Sequence, residues 1–231
     1  MVWLNVYTTN NDPKVIGGYF LKALEIIGGT AYMVRGDFGT ENVLIKDMQN
    51  WFKRHSDHDT SYLEGASTQN QRIEGWWSYL RRQHIQHWMD IFKNLQENGE
   101  FYASDIDKNI IRFCFKALIQ TELDLAVSMW NNHSIRQSRN SNAPNGQPYR
   151  MFNYPELWGS RNFICDVHQD DINVARTQVT FRTPVCCDPD LYDILIGVMA
   201  DDSLSYPNTS DEALALYRHL RRQVLRMFNM Q

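Results

Sequence analysis

The sequence predicts an α/β chain, a mixed sheet with flanking helices. Short runs rich in β-branched and aromatic residues alternate with stretches of helical periodicity over roughly the first 55 residues. Hydrophobic residues make up 43% and aromatic residues 13% of the 231 positions, enough to build a packed core rather than a disordered chain. Clusters of Asn, Asp, Ser, Gly and Pro separate the periodic segments as turn chemistry would.

The elements follow in order. Residues 2–7, VWLNVY, read as a strand that stops at the polar cluster TTNNDP. Pro13 suits a first helical position. Val15, Ile16, Phe20, Leu21, Leu24 and Ile27 then recur at helical spacing, and GGT ends the helix. AYMVRGD is the next strand, so strand, helix and strand form one covered unit. Residues 41–55 read as another helix, and residues 56–70 as a polar connection long for an ordinary loop. A long helix runs from about residue 71 to Gly99, with Ile73, Trp77, Leu80, His84, Ile85 and Trp88 on one face. A second covers about residues 109–133, followed by the Asn/Ser/Pro-rich loop SIRQSRNSNAPNGQP. From about residue 160 the pattern becomes short mixed segments, and then a final helix capped by Ser210. This places a core domain over residues 1–158 and a small α+β appendage over 159–231.

Bulk properties bound the function. A net charge of -4 argues against indiscriminate coating of nucleic acid. Positive charge is nonetheless concentrated: residues 66–84 hold three arginines against one glutamate, and residues 130–162 four against one. The four cysteines form no CxxC pair, which disfavours a structural zinc site or disulfide framework and fits a reducing, intracellular setting. No apolar run approaches the roughly 18 residues of a membrane span, so no membrane partner is expected.

Asp37 ends a strand, and Glu74 lies near the start of a helix 37 positions later. Two carboxylates so placed could converge over the end of a sheet and hold divalent metal ions for phosphoryl transfer, with oxygen ligands favouring Mg2+ or Mn2+. Taken singly, Asp37 reads as a turn residue and Glu74 as a solvated helix acid. Arg81 lies seven residues beyond Glu74, about 10 Å along the same helical face, where a phosphate could be met. Trp76, Trp77 and Trp88 could stack bases, but core packing is the better reading for Trp77 and Trp88. Arg136 and Arg139 could touch phosphates or keep a loop soluble. His55 and His58 with Asp57 and Asp59 match no closed zinc site and read as solvated loop. His84 and His87 read as packing or surface, and Cys186–Cys187 as thiols without chemistry.

Three blocks, VRGDFGTEN, NQRIEGWWSYLRR and WNNHSIRQSRNSNAPNGQP, together with WLNVYTTNNDP, resemble in order and spacing the integrase core of DDE transposases and retroviral-type integrases. The resemblance covers about residues 2–158 and is nearest to eukaryotic integrase-core proteins related to bacterial insertion-sequence transposases. It implies an RNase H-like fold and a DNA strand-transfer ancestry. Asp37 would be the second acid of the triad and Glu74 the third, both catalytic and both ligands of Mg2+ or Mn2+. Residues 65–70 would be the mobile loop beside the site. DNA would be met by Asn70, Gln71, Arg72, Arg81, Arg82, Arg136 and Arg139, in a protein expected to be nuclear and able to form a homo-oligomer. The family's first acid lies on a strand just upstream of VWLNVY, where this sequence begins, and Asp12 is a poor substitute. Transfer is therefore expected to be weak or lost. The alternative is a non-catalytic DNA-binding or protein-interaction module on the same scaffold.

Overall fold

The structure, a computed structural model, describes residues 1–55, 60–65, 71–137, 144–185 and 187–228, with the backbone alone for Gln71 and Arg72. The chain divides into two compact units, each assembled from three stretches. The first comprises Met1–Leu4, Thr9–Trp77 and Val127–Arg182. The second comprises Asn5–Thr8, Ser78–Ala126 and Thr183–Gln231.

In the first unit, helix α1 (Pro13–Ile27) starts where the Asp12 carboxylate accepts a hydrogen bond from the Lys14 amide at 2.8 Å, with Pro13 in the first turn. It ends at Gly28, whose φ of 85° is the left-handed cap a glycine adopts without strain. Strand β1 (Thr30–Ala31) pairs antiparallel with β4 (Ile164–Cys165), and β2 (Val34–Gly36) pairs parallel with β3 (Tyr62–Glu64). Helix α2 (Val43–Phe52) covers them. Its buried Gln49 accepts from the Thr30 hydroxyl at 2.6 Å and donates to the Ala31 carbonyl at 2.8 Å. Both polar ends of that amide are thus satisfied where no water reaches. Helices α6 (Pro148–Asn153) and α7 (Gln169–Arg176) complete the unit. Phe20, Leu21, Leu24, Ile45, Met48, Phe52, Tyr62 and Ala175 form its core.

The second unit is helical among the described residues. Helices α4 (Gln86–Glu97), α8 (Pro189–Asp201) and α9 (Ser210–Met227) pack with the larger part of α5 (Asp105–Asn132) around Leu95, Ile110, Phe115, Leu195, Tyr217 and Leu220. Buried Asp107 accepts from the Arg221 guanidinium at 2.7 Å and from the Tyr102 amide at 2.8 Å, so its charge is paired and hydrogen-bonded.

Several expectations are corrected. Residues 2–7 join no strand ladder. The Val6 amide is instead engaged by a helix side chain, donating to Gln120 at 3.1 Å, and the preceding Met1 carbonyl accepts from Asn131 at 3.0 Å. Strand propensity becomes a strand only where a partner edge is available. AYMVRGD is two strands rather than one, because the chain changes partner around Met33. The Tyr32 amide donates to Phe163, and the Val34 amide to Ser61. The connection at 56–70 contains β3, and a 13-residue helix, α8, occupies the region read as short mixed segments. Beyond residue 158, two-residue β4 is the only strand among the described residues. The last helix is capped by Thr209, not Ser210: the Thr209 hydroxyl accepts from the Glu212 amide at 3.2 Å.

The long helix is also not uniform. α3 (Gln71–Leu80) passes into a π-helical turn at Arg81–Ile85 before α4 begins. Trp76, Leu80, His84 and Trp88 are buried at intervals of four, whereas Ile73 and Trp77 are about half exposed. The i→i+5 bonds of a π turn take up an extra residue, which keeps a four-residue repeat on one face where an ideal helix would drift. Core packing therefore falls to Trp76, whose ring meets Trp130 edge-on at 6.0 Å, and Trp77 is displaced to the surface.

Candidate catalytic and nucleic-acid site

Parallel pairing puts the carboxyl ends of β2 and β3 on the same edge. The register sets Gly36 opposite Glu64, and the Gly65 amide donates to the Gly36 carbonyl at 3.1 Å. Asp37 is the first residue beyond that edge. Gly36 is glycine for reasons of space: a Cβ there would fall 2.0 Å from the Tyr62 hydroxyl oxygen, so the ring of Tyr62 lies directly over its backbone. Tyr62 is buried and anchors the edge in the core below.

Asp37 is half-buried. One of its oxygens, Oδ1, accepts a hydrogen bond of 2.6 Å from the side-chain amide of Asn42, the residue at the start of α2. The intervening turn is tight, with the Asn42 amide donating to the Gly39 carbonyl at 3.1 Å and the Glu41 carboxylate lying against Gly39. Glu64 is held from α2 by Lys46 at 2.6 Å. Burial pushes the Tyr62 phenol above its ordinary pKa, and the carboxylates of Glu64, Asp37 and Glu41 add to the rise. Tyr62 thus stays protonated amid three acids.

Glu74 lies in the first turn of α3, exposed, ten residues after the end of β3. Asp37 is gathered with Glu41 and Glu64, and no contact among the described residues joins it to Glu74. Among those residues no group of three or more His, Cys, Asp or Glu side chains is set for a metal ion. Arg81 and Arg82 are exposed in the π turn of the second unit. Arg136 is exposed in the first unit, next to Ile135, which bridges to Gly146 and closes the base of the following loop. Asn70 and Arg139 lie outside the described residues, as do most of the 65–70 loop and Asp57, His58 and Asp59. Gln71 and Arg72 are placed only as backbone in the first turn of α3.

Sequence reasoning missed the setting of Asp37. Asn42 stands five residues on, inside GDFGTEN, but its role depends on a turn that folds it back. Tyr62 and Glu64 sit in a three-residue strand too short to show alternation.

The family model described as Integrase core domain matches residues 1–152. The chain belongs to the integrase core domain family. No curated protein and no solved structure matches it. Integrase-type domains bind DNA in general and typically depend on divalent metal ions, and membership points to a DNA-processing ancestry. No helix among the described residues of this integrase core is long and apolar enough to cross a membrane.

Proposed function

We propose that this is a transposon-derived integrase-core protein of RNase H-like descent that binds DNA and retains only weak phosphodiester cleavage and strand transfer. The observation that carries the reading is the position of Asp37, at the shared carboxyl edge of β2 and β3 with its carboxylate oriented by Asn42.

The donors fit Mg2+ or Mn2+ in kind. Asp37 and Glu74 offer hard oxygens, and Mg2+ is commonly held by one or two carboxylates together with substrate phosphates. A cation bound there supplies Lewis-acid polarisation of the phosphodiester and activation of water or a 3′-hydroxyl. Asn42 fixes one oxygen of Asp37, the usual duty of an outer hydrogen-bond partner. Tyr62, kept protonated, holds the edge without adding a charge. In this reading Arg72, Arg81, Arg82, Arg136 and Arg139, with Asn70 and Gln71, meet phosphates and position the strand, and the protein acts in the nucleus.

The test is nicking and strand transfer on labelled oligonucleotide duplexes in Mg2+ or Mn2+. The wild type should give a low yield of product that vanishes in Asp37→Asn and in Glu74→Gln. Product that persists unchanged in both variants would sink the assignment.

A further inference from the structure

We propose that Lys53 and Cys165 form an oxidation-driven cross-linking site, in which peroxide joins lysine Nζ to cysteine Sγ. The site lies in the first unit and is independent of the DNA reading.

The geometry is specific. Lys53, the residue that caps α2 at its carboxyl end, points its ammonium at the Cys165 sulfur, 3.2 Å away. The same ammonium lies over the Tyr32 ring, 5.3 Å from its centroid, which holds the lysine stem in place. No carboxylate forms an ion pair with Lys53 among the described residues, so its sole hydrogen-bond acceptor there is a sulfur. A half-buried ammonium whose hydrogen-bond acceptor is a sulfur rather than a carboxylate is an unusual arrangement.

Cys165 is held as firmly as its partner. It is the second residue of β4, in register with Thr30. Its carbonyl and the Ile164 side chain pack so closely on Gly29 that a Cβ there would fall 2.5 Å from the Cys165 oxygen. The two reacting atoms thus lie 3.2 Å apart, within near-attack distance, and Cys165 is partly exposed, so a small oxidant reaches it.

The chemistry balances in two steps. Peroxide oxygen is transferred to Cys165: the O–O bond breaks, an S–O bond forms, sulfur loses two electrons, and one water leaves. Lys53, having given its extra proton to solvent, then attacks the sulfenic sulfur. The Nζ–Sγ bond forms and the S–OH bond breaks. Hydroxide departs with an amine proton as a second water, leaving a sulfenamide. An added thiol reverses the link by displacing the amine from sulfur, forming a mixed disulfide that a second thiol clears.

The experiment treats the folded full-length chain with hydrogen peroxide, digests it without reductant, and reads the peptides by mass spectrometry. The expected product joins the Lys53 and Cys165 peptides with two hydrogens missing from their summed mass. It disappears on adding dithiothreitol, is absent when peroxide is added to chain unfolded in guanidinium, and is absent from Lys53→Arg and Cys165→Ser. Oxidation of Cys165 only to sulfinic or sulfonic acid, or its capture in disulfides with Lys53 untouched, would overturn the proposal. So would equal linkage of Cys165 to other lysines.

Discussion

At the residue scale, the site is governed by small contacts around one carboxylate. Asn42 does for Asp37 what outer partners do for metal ligands, fixing the orientation of the oxygen that remains. Asn42→Ala should therefore lower cleavage by about 10–100-fold while leaving DNA affinity within about twofold, as read by product yield and by fluorescence anisotropy on the same duplex. The tyrosines make a separate prediction. Burial raises the pKa of Tyr62 and of Tyr217, whose hydroxyl donates to the Glu100 carbonyl at 2.8 Å. A raised phenol stabilises the fold fully below the unfolded value of 10 and loses that contribution as pH climbs through the folded value. The urea midpoint should hold steady to about pH 9.5 and then fall through pH 10 and above. A midpoint that rose over that interval would contradict the assignment of buried, neutral phenols.

At the scale of elements, close packing overrides propensity in α1 and in the α3–α4 run. Gly18 lies in the middle of α1, where alanine would ordinarily be worth about 1 kcal/mol. A Cβ at that position would fall 2.3 Å from the Thr180 carbonyl oxygen, on a segment pinned to α1 by the Thr180 amide donating to Lys14 at 3.0 Å. Gly18→Ala should thus destabilise by about 1–3 kcal/mol, the opposite sign to propensity. In α3, Trp76 is 3% exposed and Trp77 50%, which sets two neighbours apart. Trp76→Ala should cost about 3–5 kcal/mol and Trp77→Ala less than about 1, measured by chemical denaturation.

These elements also show what was legible. The first helix announced itself through Pro13 and the GGT that ends it, around a clear stripe, whereas the capping role of Asp12 emerged only from the fold. Asp37 and Glu74 stood out by their places after a strand and at a helix start. The strands were less readable. Two or three residues cannot display a period, and the change of partner near Met33 depends on segments more than 100 positions apart. The exposure of Trp77 was hidden for another reason, since a π turn leaves no mark in a pattern read at 3.6 residues per turn. α8 was readable from Asp188, which accepts from the Leu191 amide, and Pro189 at its start. A short apolar run behind those two residues obscured it.

At the scale of the whole molecule, an integrase core domain is carried on a chain with a net charge of -4. On the proposed reading, association with DNA rests on local arginines rather than on bulk attraction, so affinity should fall steeply with salt, with a log–log slope of about -0.9 for each phosphate neutralised. The central claim is that Asp37 and Glu74 take up one divalent cation on this scaffold. Calorimetric titration of Mn2+ into the full chain in the presence of a duplex oligonucleotide tests it most directly. Wild type should bind, and Asp37→Asn and Glu74→Gln should each weaken that binding by at least about tenfold, or 1.4 kcal/mol. An isotherm unchanged by either substitution, or no Mn2+ uptake by the wild type, would contradict the account.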